Sequence, residues 1–381
     1  MDFTLDSGYL EVQERCRTLA ATVAPLAAEA DEWSTPHPAV IDALRESGLA
    51  RLAVPGAYGG SGETVDAFAF CLAREVFMGT SSHLDTAFAL QGIGSYAITV
   101  AGTPDQRDRW LPAVGRMEAV AALALTEPQT GSDLKGITTR AERSGSGFLL
   151  NGQKSFISNG GHADFYTVLA REEDGLSVFL VPGDLRGVTT TATPDLIAPH
   201  VLGELDFADV ELPAGSRIGD PGRGMDYVLA TLGVFRVSVA GAAVGLADAA
   251  VREAARHAAT REQFGRPLVR LGPVAAMLAD SWADVEMTRL LTYRAALAAR
   301  DNPSAALNAS SMAKLAATEA ASRVVDRGVQ IMGRYGLVRG STMERLYRQA
   351  RPMRIYEGAS EVLRLGIART LCDEVTAEAA P

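Results

Sequence analysis

The 381-residue sequence is sparing with cysteine, histidine and positive charge. Its three cysteines, Cys16, Cys71 and Cys372, lie far apart and form no CxxC pair, which suggests neither a disulfide framework nor a zinc ribbon. The five histidines, His37, His83, His162, His200 and His257, show no ligand spacing, so no metal is expected. Lysine plus arginine number 36 against 46 aspartate plus glutamate, a formal net charge of −10. That sign argues against a general nucleic-acid binder and asks for a local basic pocket around any anionic ligand. No run approaches the roughly 18 apolar residues of a membrane span. The opening "MDFTLDSGYLEVQERCRTLAA" begins with acids, unlike a basic, apolar secretory leader. The expectation is a soluble protein of the reducing cytoplasm, with neither membrane nor nucleic acid as partner.

What is present is an ordinary globular composition, 47% hydrophobic and 22% charged, over a length that suits two or three domains. Alanine-rich segments with helical apolar spacing, such as "AVIDALRESGLARLAV" and "VDAFAFCLAREVFMG", predict an N-terminal helical domain over residues 1–120. From about Ala121 the texture turns to short alternating runs, among them "GFLLNGQKSFISNGG", "DFYTVLARE", "LSVFLVPGD" and "GELDFADVELPAG". These predict a middle antiparallel β domain over 121–226. After "IGDPGRGM" the helical period returns in Tyr227–Thr260, Gly272–Ala299 and Pro303–Met332, a C-terminal helical bundle over 227–381. Asn302 followed by Pro303 reads as an N-cap with proline in the first turn of the last block. The fold class is α+β, multidomain: helices, then β, then helices.

Three segments could carry chemistry. "LALTEPQTGSDLKG", Leu123 to Gly136, offers backbone N–H groups and hydroxyls suited to a phosphate or flavin, or else forms a polar surface turn. In "NGQKSFISNGG", Asn151 to Gly161, Phe156 and Ser158 fall on one face of a strand. Together they could pack and hydrogen-bond a flat heteroaromatic ring, or simply belong to an amphipathic hairpin. "TREQFGRPL" places Arg261 at the end of a long helix, where it could fork onto a pyrophosphate or answer the helix dipole. A fourth stretch, "RIYEGASEVLRLGIAR", sets the bare carboxylate of Glu357 beside Gly358 just before a helix; that is either a first-turn charge or a base held in a cleft.

In order and spacing, "ALTEPQTGSD", "NGQKSFISNGG", "FADVELPAGSRIG", "REQFGRPL", "VQIMGRYG" and "IYEGASEVLRLGIAR" resemble the acyl-CoA dehydrogenase family, flavoproteins that desaturate acyl thioesters. The resemblance covers almost the whole chain and implies an acyl-CoA dehydrogenase fold ending in a four-helix bundle, with FAD as cofactor. It implies flavin contacts at Leu125, Thr126, Gly131 and Ser132, with Ser132 also facing the thioester. In the second motif the family's tryptophan is Phe156 and its threonine is Ser158, which keeps a hydroxyl for the flavin's reactive edge. Arg261, Gln263 and Phe264 correspond to residues that reach the FAD of a neighbouring subunit, and Gln330 and Gly333 to a further cofactor contact. The family's usual double glycine is here Gly333 then Arg334, which either points away or adds a cation near the adenosine phosphates. Ala359 stands where a threonine usually meets FAD, and Glu361 belongs to the same cofactor stretch.

The resemblance also implies that Glu357 removes the α-proton of the thioester while a β-hydride leaves to the flavin. Relatives that carry the base on an earlier helix place it before the arginine matching Arg236; that position is Phe235 here, which cannot accept a proton. Arg236, Tyr356 and Gly358 are implied substrate contacts. Asp85, in the helix that lines the acyl pocket, is an unusual neighbour for a plain alkyl chain and could meet a hydroxyl or amine. "PDLIAPHVLGEL" departs from the family's glycine- and serine-rich turn, as an acyl-carrier-protein substrate of a biosynthetic pathway could require. The implied partners are an acyl-CoA or acyl-carrier thioester, an electron-transferring flavoprotein and copies of the chain itself, in a homotetramer. A catalytically inactive scaffold is the rival from outside enzymes.

Overall fold

A computed structural model describes residues 4–378. Helices come first: α1 (Ser7–Val23), α2 (Ala27–Ala30), α3 (Pro38–Ser47), α4 (Ala67–Met78), α5 (Ser82–Ala101) and α6 (Pro104–Gly115). Their ends follow local chemistry. Asp6 caps α1 by accepting from the Tyr9 N–H at 3.0 Å. In α6, Thr103 and Gln106 form a reciprocal capping box around Pro104.

The strands follow: β1 (Ala121–Ala124), β2 (Arg140–Ser144), β3 (Gly147–Ser158), β4 (Phe165–Glu172), β5 (Gly175–Pro182), β6 (Val188–Ala192), β7 (Leu202–Leu212) and β8 (Arg217–Ile218). They form one sheet in the order β6-β7-β3-β2-β4-β5-β8, with β1 beside β4. Most pairs are antiparallel as expected, but β4 runs parallel to both β1 and β2, so the sheet is mixed. The reason lies in β4, whose first six residues are all buried. Tyr166 and Val168 pack into one core cluster and Phe165 and Leu169 into the other, where Trp110 of α6 meets Phe165 at 4.6 Å. A strand covered on both faces has no solvent side to alternate with.

The chain ends in α7 (Gly224–Thr260), a small hairpin of β9 (Glu262–Gln263) and β10 (Arg266–Pro267), α8 (Gly272–Asp301), α9 (Leu307–Met332), α10 (Thr342–Met353) and α11 (Ser360–Glu378). The expected start of α9 at Pro303 is corrected. Asn302 does cap the Ala305 N–H at 3.2 Å, but residues 303–306 form a separate turn and the helix proper begins at Leu307. The Pro303 carbonyl lies so close to the Gly233 backbone that a Cβ on Gly233 would sit 2.5 Å from it. The apolar-run expectation is corrected too. Among the described residues α7 is long and apolar enough to cross a membrane by length and composition, yet 78% of its most apolar window is buried, as in a core helix.

Contacts divide the chain into two discontinuous compact units. Among the described residues, the first takes those up to Asp31, Ala67–Asp85 and those from Gly233 to Glu378; the second takes Glu32–Asp66 and Thr86–Leu232. The first is helical and tightly packed. Within it α4 and α7 approach backbone to backbone: a Cβ on Gly245 would lie 1.8 Å from the Glu75 carbonyl oxygen, and one on Gly241 would lie 2.6 Å from that of Cys71. Glycine is required there by space, since no side chain can yield to make room. Gly245→Ala is therefore expected to destabilise the protein by about 3 kcal/mol, the upper end of overpacking costs. Urea unfolding measures this, and a wild-type midpoint would refute the close approach.

Candidate active site

In the first unit the chain leaves α10, passes through Tyr356 and Glu357 and enters α11 at Ser360. The backbone here is unusual. Glu357 has φ 50° and Gly358 φ 108°, so a non-glycine residue occupies the left-handed region directly before a glycine that needs it. Two cations hold the turn by its carbonyls. Arg236 Nε of α7 donates to the Glu357 oxygen at 2.9 Å, and Lys314 Nζ of α9 donates to the Gly358 oxygen at 2.8 Å. Arg236 is itself fixed by donating to Ser311 Oγ at 3.0 Å.

With its carbonyl engaged, the Glu357 side chain is left over. Its Oε2 is buried and has no hydrogen-bond partner within the chain. Burial pushes the carboxyl up to about 6, against the pull of Arg74, Arg236 and Lys314 and with a push from Asp85. A carboxylate so placed is an acceptor waiting for a proton. Phe235, at the alternative base position, is a fully buried core ring packed edge-on to Phe70 at 5.0 Å.

Asp85, named above as a substrate contact, is half of a buried ion pair. Its two oxygens accept from Arg74 Nε at 2.9 Å and Arg74 Nη2 at 2.6 Å, while Arg74 Nη1 donates to Ser238 Oγ at 3.0 Å. A carboxylate committed to a bidentate guanidinium has its best acceptor geometry taken. Burial opposes the Arg74 charge, but Asp85 outweighs it and holds the guanidinium above its ordinary value. Tyr356 is 38% exposed, yet burial around its hydroxyl raises its pKa. Ala359 is half-buried, and Glu361 is exposed in the first turn of α11.

In the second unit the loop after β1 carries Leu125 and Thr126, both half-buried, and the exposed Gly131 and Ser132. A buried ion pair supports it: Lys154 Nζ donates to Glu127 Oε1 at 3.0 Å and to the Leu125 carbonyl at 2.9 Å. Glu127 also accepts from the Thr138 N–H and Oγ1 and from the Thr139 N–H. Burial works against the Glu127 charge, but these hydrogen bonds and Lys154 hold it down to about 2. Burial dominates at Lys154 and pushes it down to about 8. The two shifts oppose each other in stability, so the pair fixes geometry more than it adds free energy.

These residues fit a flavin. The Leu125 and Thr126 carbonyls turn inward onto Lys154 Nζ and the Ser155 N–H. In a trans peptide the Thr126 N–H then points the opposite way, away from Lys154. Phe156, 52% exposed at φ 55°, and the half-buried Ser158 flank the buried Ile157, where β3 shifts register against β7. His200 lies 3.0 Å from Ser158 Oγ through its Nε2.

Back in the first unit, Arg261 leads into the β9–β10 hairpin, whose two-residue turn is Phe264 (φ 54°, 89% exposed) and Gly265 (φ 71°). Gln263 spends its side-chain N–H on the neighbouring Glu262 carbonyl. Arg261 and Arg334 lie over the Tyr335 ring at 5.7 and 5.1 Å. Arg334 thus joins the Arg261 cluster, beside an open cavity of about 530 Å³ lined by His257, Arg261, Met332 and Tyr335. Gly333 closes α9 at φ 57°, and Gln330 is exposed.

Sequence reading passed over Arg74, Lys154, Lys314 and His200. A signal existed for the cations: Arg74 is the one cation in the apolar segment "AFAFCLAREVFM", and Lys314 is flanked at helical spacing by the buried Ser310, Ser311, Ala317 and Thr318. A lone charge on an apolar helix face is either misplaced or occupied.

Known proteins agree with this geometry. Family models for the N-terminal, middle and C-terminal domains of acyl-CoA dehydrogenase match residues 9–118, 122–210 and 222–372 in turn. The chain is 36% identical to the cyclohex-1-ene-1-carbonyl-CoA dehydrogenase of Syntrophus aciditrophicus, over 94% of this chain and 89% of that protein. Butyryl-CoA dehydrogenase from Megasphaera elsdenii superposes with a TM-score of 0.93 at 30% identity, covering 98% and 100% of the two chains. A chain described with the electron transferring flavoprotein of Acidaminococcus fermentans also scores 0.93, at 30% identity and 97% and 99% coverage. The chain belongs to the acyl-CoA dehydrogenase family. Within that family it is an FAD-dependent oxidoreductase that desaturates acyl-CoA thioesters.

The loop of the second unit gives a direct test. Lys154→Met strands Glu127 as an unpaired buried carboxylate and is expected to cost about 3–5 kcal/mol. A thermal midpoint within 1 °C or so of wild type would show that the pair does not hold the loop.

Proposed function

We propose that Glu357 is the base that takes the α-proton of the acyl-CoA thioester. The observation that carries this reading is the buried, unpartnered Glu357 Oε2 on a left-handed turn clamped by Arg236 and Lys314. An α-proton becomes acidic only when its carbonyl is polarised, a task assigned to the Glu357 amide N–H on family precedent. Substrate entry dries the site, raises the carboxylate further and strengthens it as a base. FAD, when bound, accepts the β-hydride. Leu125, Thr126, Gly131, Ser132, Phe156 and Ser158 would hold it along the open face of the second unit.

Arg261, Gln263 and Phe264, with Gln330 and Gly333, are proposed to meet the FAD of a second copy. The 89% exposed Phe264 and the open, partly cationic cavity beside Arg261 support this. Self-association into a homotetramer is supported by apolar side chains left outside: Trp282, Met287 and Leu290 on α8, and Leu365, Leu371 and Val375 on α11. We further propose a cytoplasmic setting, a role in fatty-acid metabolism and an electron-transferring flavoprotein as acceptor. An acyl-carrier thioester remains the alternative substrate, and bleaching against both carriers separates them.

Glu357→Gln is expected to keep the yellow flavin and to slow anaerobic thioester-dependent bleaching by roughly 10²–10⁴-fold. Wild-type bleaching in that variant would remove Glu357 from the mechanism. In the wild type the bleaching rate at limiting thioester is expected to rise with pH through about 6, because only the ionised Glu357 of the free enzyme accepts a proton. Arg261→Ala is expected to lower FAD retention and assembled mass; unchanged flavin content and mass would refute the cross-subunit contact.

A further inference from the structure

Lys314 is the most costly side chain in the first unit to account for. It is fully buried, yet among the described residues no carboxylate lies within ion-pair distance of it. Buried lysines are ordinarily paired. Two of the acids whose field reaches it are otherwise placed: Glu319 is taken by Arg354 at 3.0 Å and Arg364 at 3.4 Å, and Glu361 is exposed. Its Nζ instead donates to one carbonyl, that of Gly358. If a carbonyl were all that needed satisfying, α9 has cheaper donors, and it uses them elsewhere: Ser310 Oγ donates to the Gly233 carbonyl at 3.0 Å. A permanent charge at this point must do something that a hydroxyl cannot.

We propose that Lys314 is a positioning residue for the α-proton base: its ammonium holds the Gly358 carbonyl, fixes the left-handed turn that carries Glu357, and supplies a cation against which that carboxylate stands. The turn explains the geometry. Glu357 at φ 50° and Gly358 at φ 108° are held only if their surroundings over-determine them. Arg236 holds the first carbonyl and Lys314 the second, from different helices, so the peptide between them can neither rotate nor slide. A charge-assisted bond is roughly twice as strong as a neutral one, which a strained turn needs.

The charge balance supports the same role. Glu357 faces Arg74 on α4, Asp85 on α5, Arg236 on α7, Lys314 on α9 and the adjoining Tyr356 hydroxyl. Lys314 faces Glu357, Arg236, Glu319 and Glu361. Arg74 is neutralised locally by Asp85. Arg236 and Lys314 are therefore the cations without an acid of their own whose field reaches Glu357. Burial pushes Lys314 down to about 8, with Glu357 the largest opposing influence, so it is still mostly protonated at neutral pH.

This inference rests on Glu357 being the base, but its test does not. Infrared difference titration of the holoenzyme, wild type against Glu357→Gln, isolates the Glu357 carboxyl band and reads its titration without substrate. The expected midpoint is about 6 in the wild type. In Lys314→Met it moves up by about one pH unit, because a cation that favours the carboxylate is gone; in Lys314→Arg, which restores donor and charge, it returns toward the wild-type value. In the same variants, kcat for the acyl-CoA that bleaches the wild type falls roughly 10²-fold in Met, the scale of an ångström of misplacement, with little change in KM. An unmoved Glu357 midpoint in Lys314→Met overturns the proposal even if the Arg variant does not fold. Loss of the base assignment is a separate result, read from wild-type bleaching in Glu357→Gln.

Discussion

The structure turns on a buried ammonium or guanidinium donating to a backbone carbonyl. At Glu357 and Gly358 two such cations grip successive peptide oxygens. Each side chain loses hydration to do so, and the return is a turn that a neutral donor would hold only weakly. The Glu357 Oε2 is then left buried with no hydrogen-bond partner in the chain, and that unsatisfied state is what a base needs.

The second unit repeats the device with a different purpose. Lys154 enters from β3, pairs with Glu127 and donates to the Leu125 carbonyl. By fixing which way that peptide faces, it turns the Thr126 N–H away from Lys154. Both lysines are pushed down to about 8 by burial, and both act on the backbone of a loop rather than on a ligand. The difference is instructive: Lys154 has an acid beside it, and Lys314 has none within ion-pair distance among the described residues.

Much of the fold was legible in the chain. Helical spacing located α7, α8 and α9 to within a few residues, and the alternating runs located β3, β4, β5 and β7. The parallel pairings of β4 were not legible, because a strand buried on both faces loses the alternation that reveals its partners. The start of α9 lies beyond Pro303 because the Asn302 side chain caps a turn that precedes the helix. Of the site, Glu357, Arg236 and the loop around Thr126 stood out through their motifs. Asp85 stood out too, but its pairing did not, since its partner Arg74 lies on another helix.

Sequence alone determined the element types, the candidate base and the absence of a second base at Phe235, because periodicity and residue chemistry are local properties. Tertiary structure decided which charges act together. Lys314 and Glu357 are 43 positions apart in sequence, and Arg74 is farther still from the carboxylate it influences. Electrostatic tuning depends on distance and burial in space, and neither is written in the order of the residues.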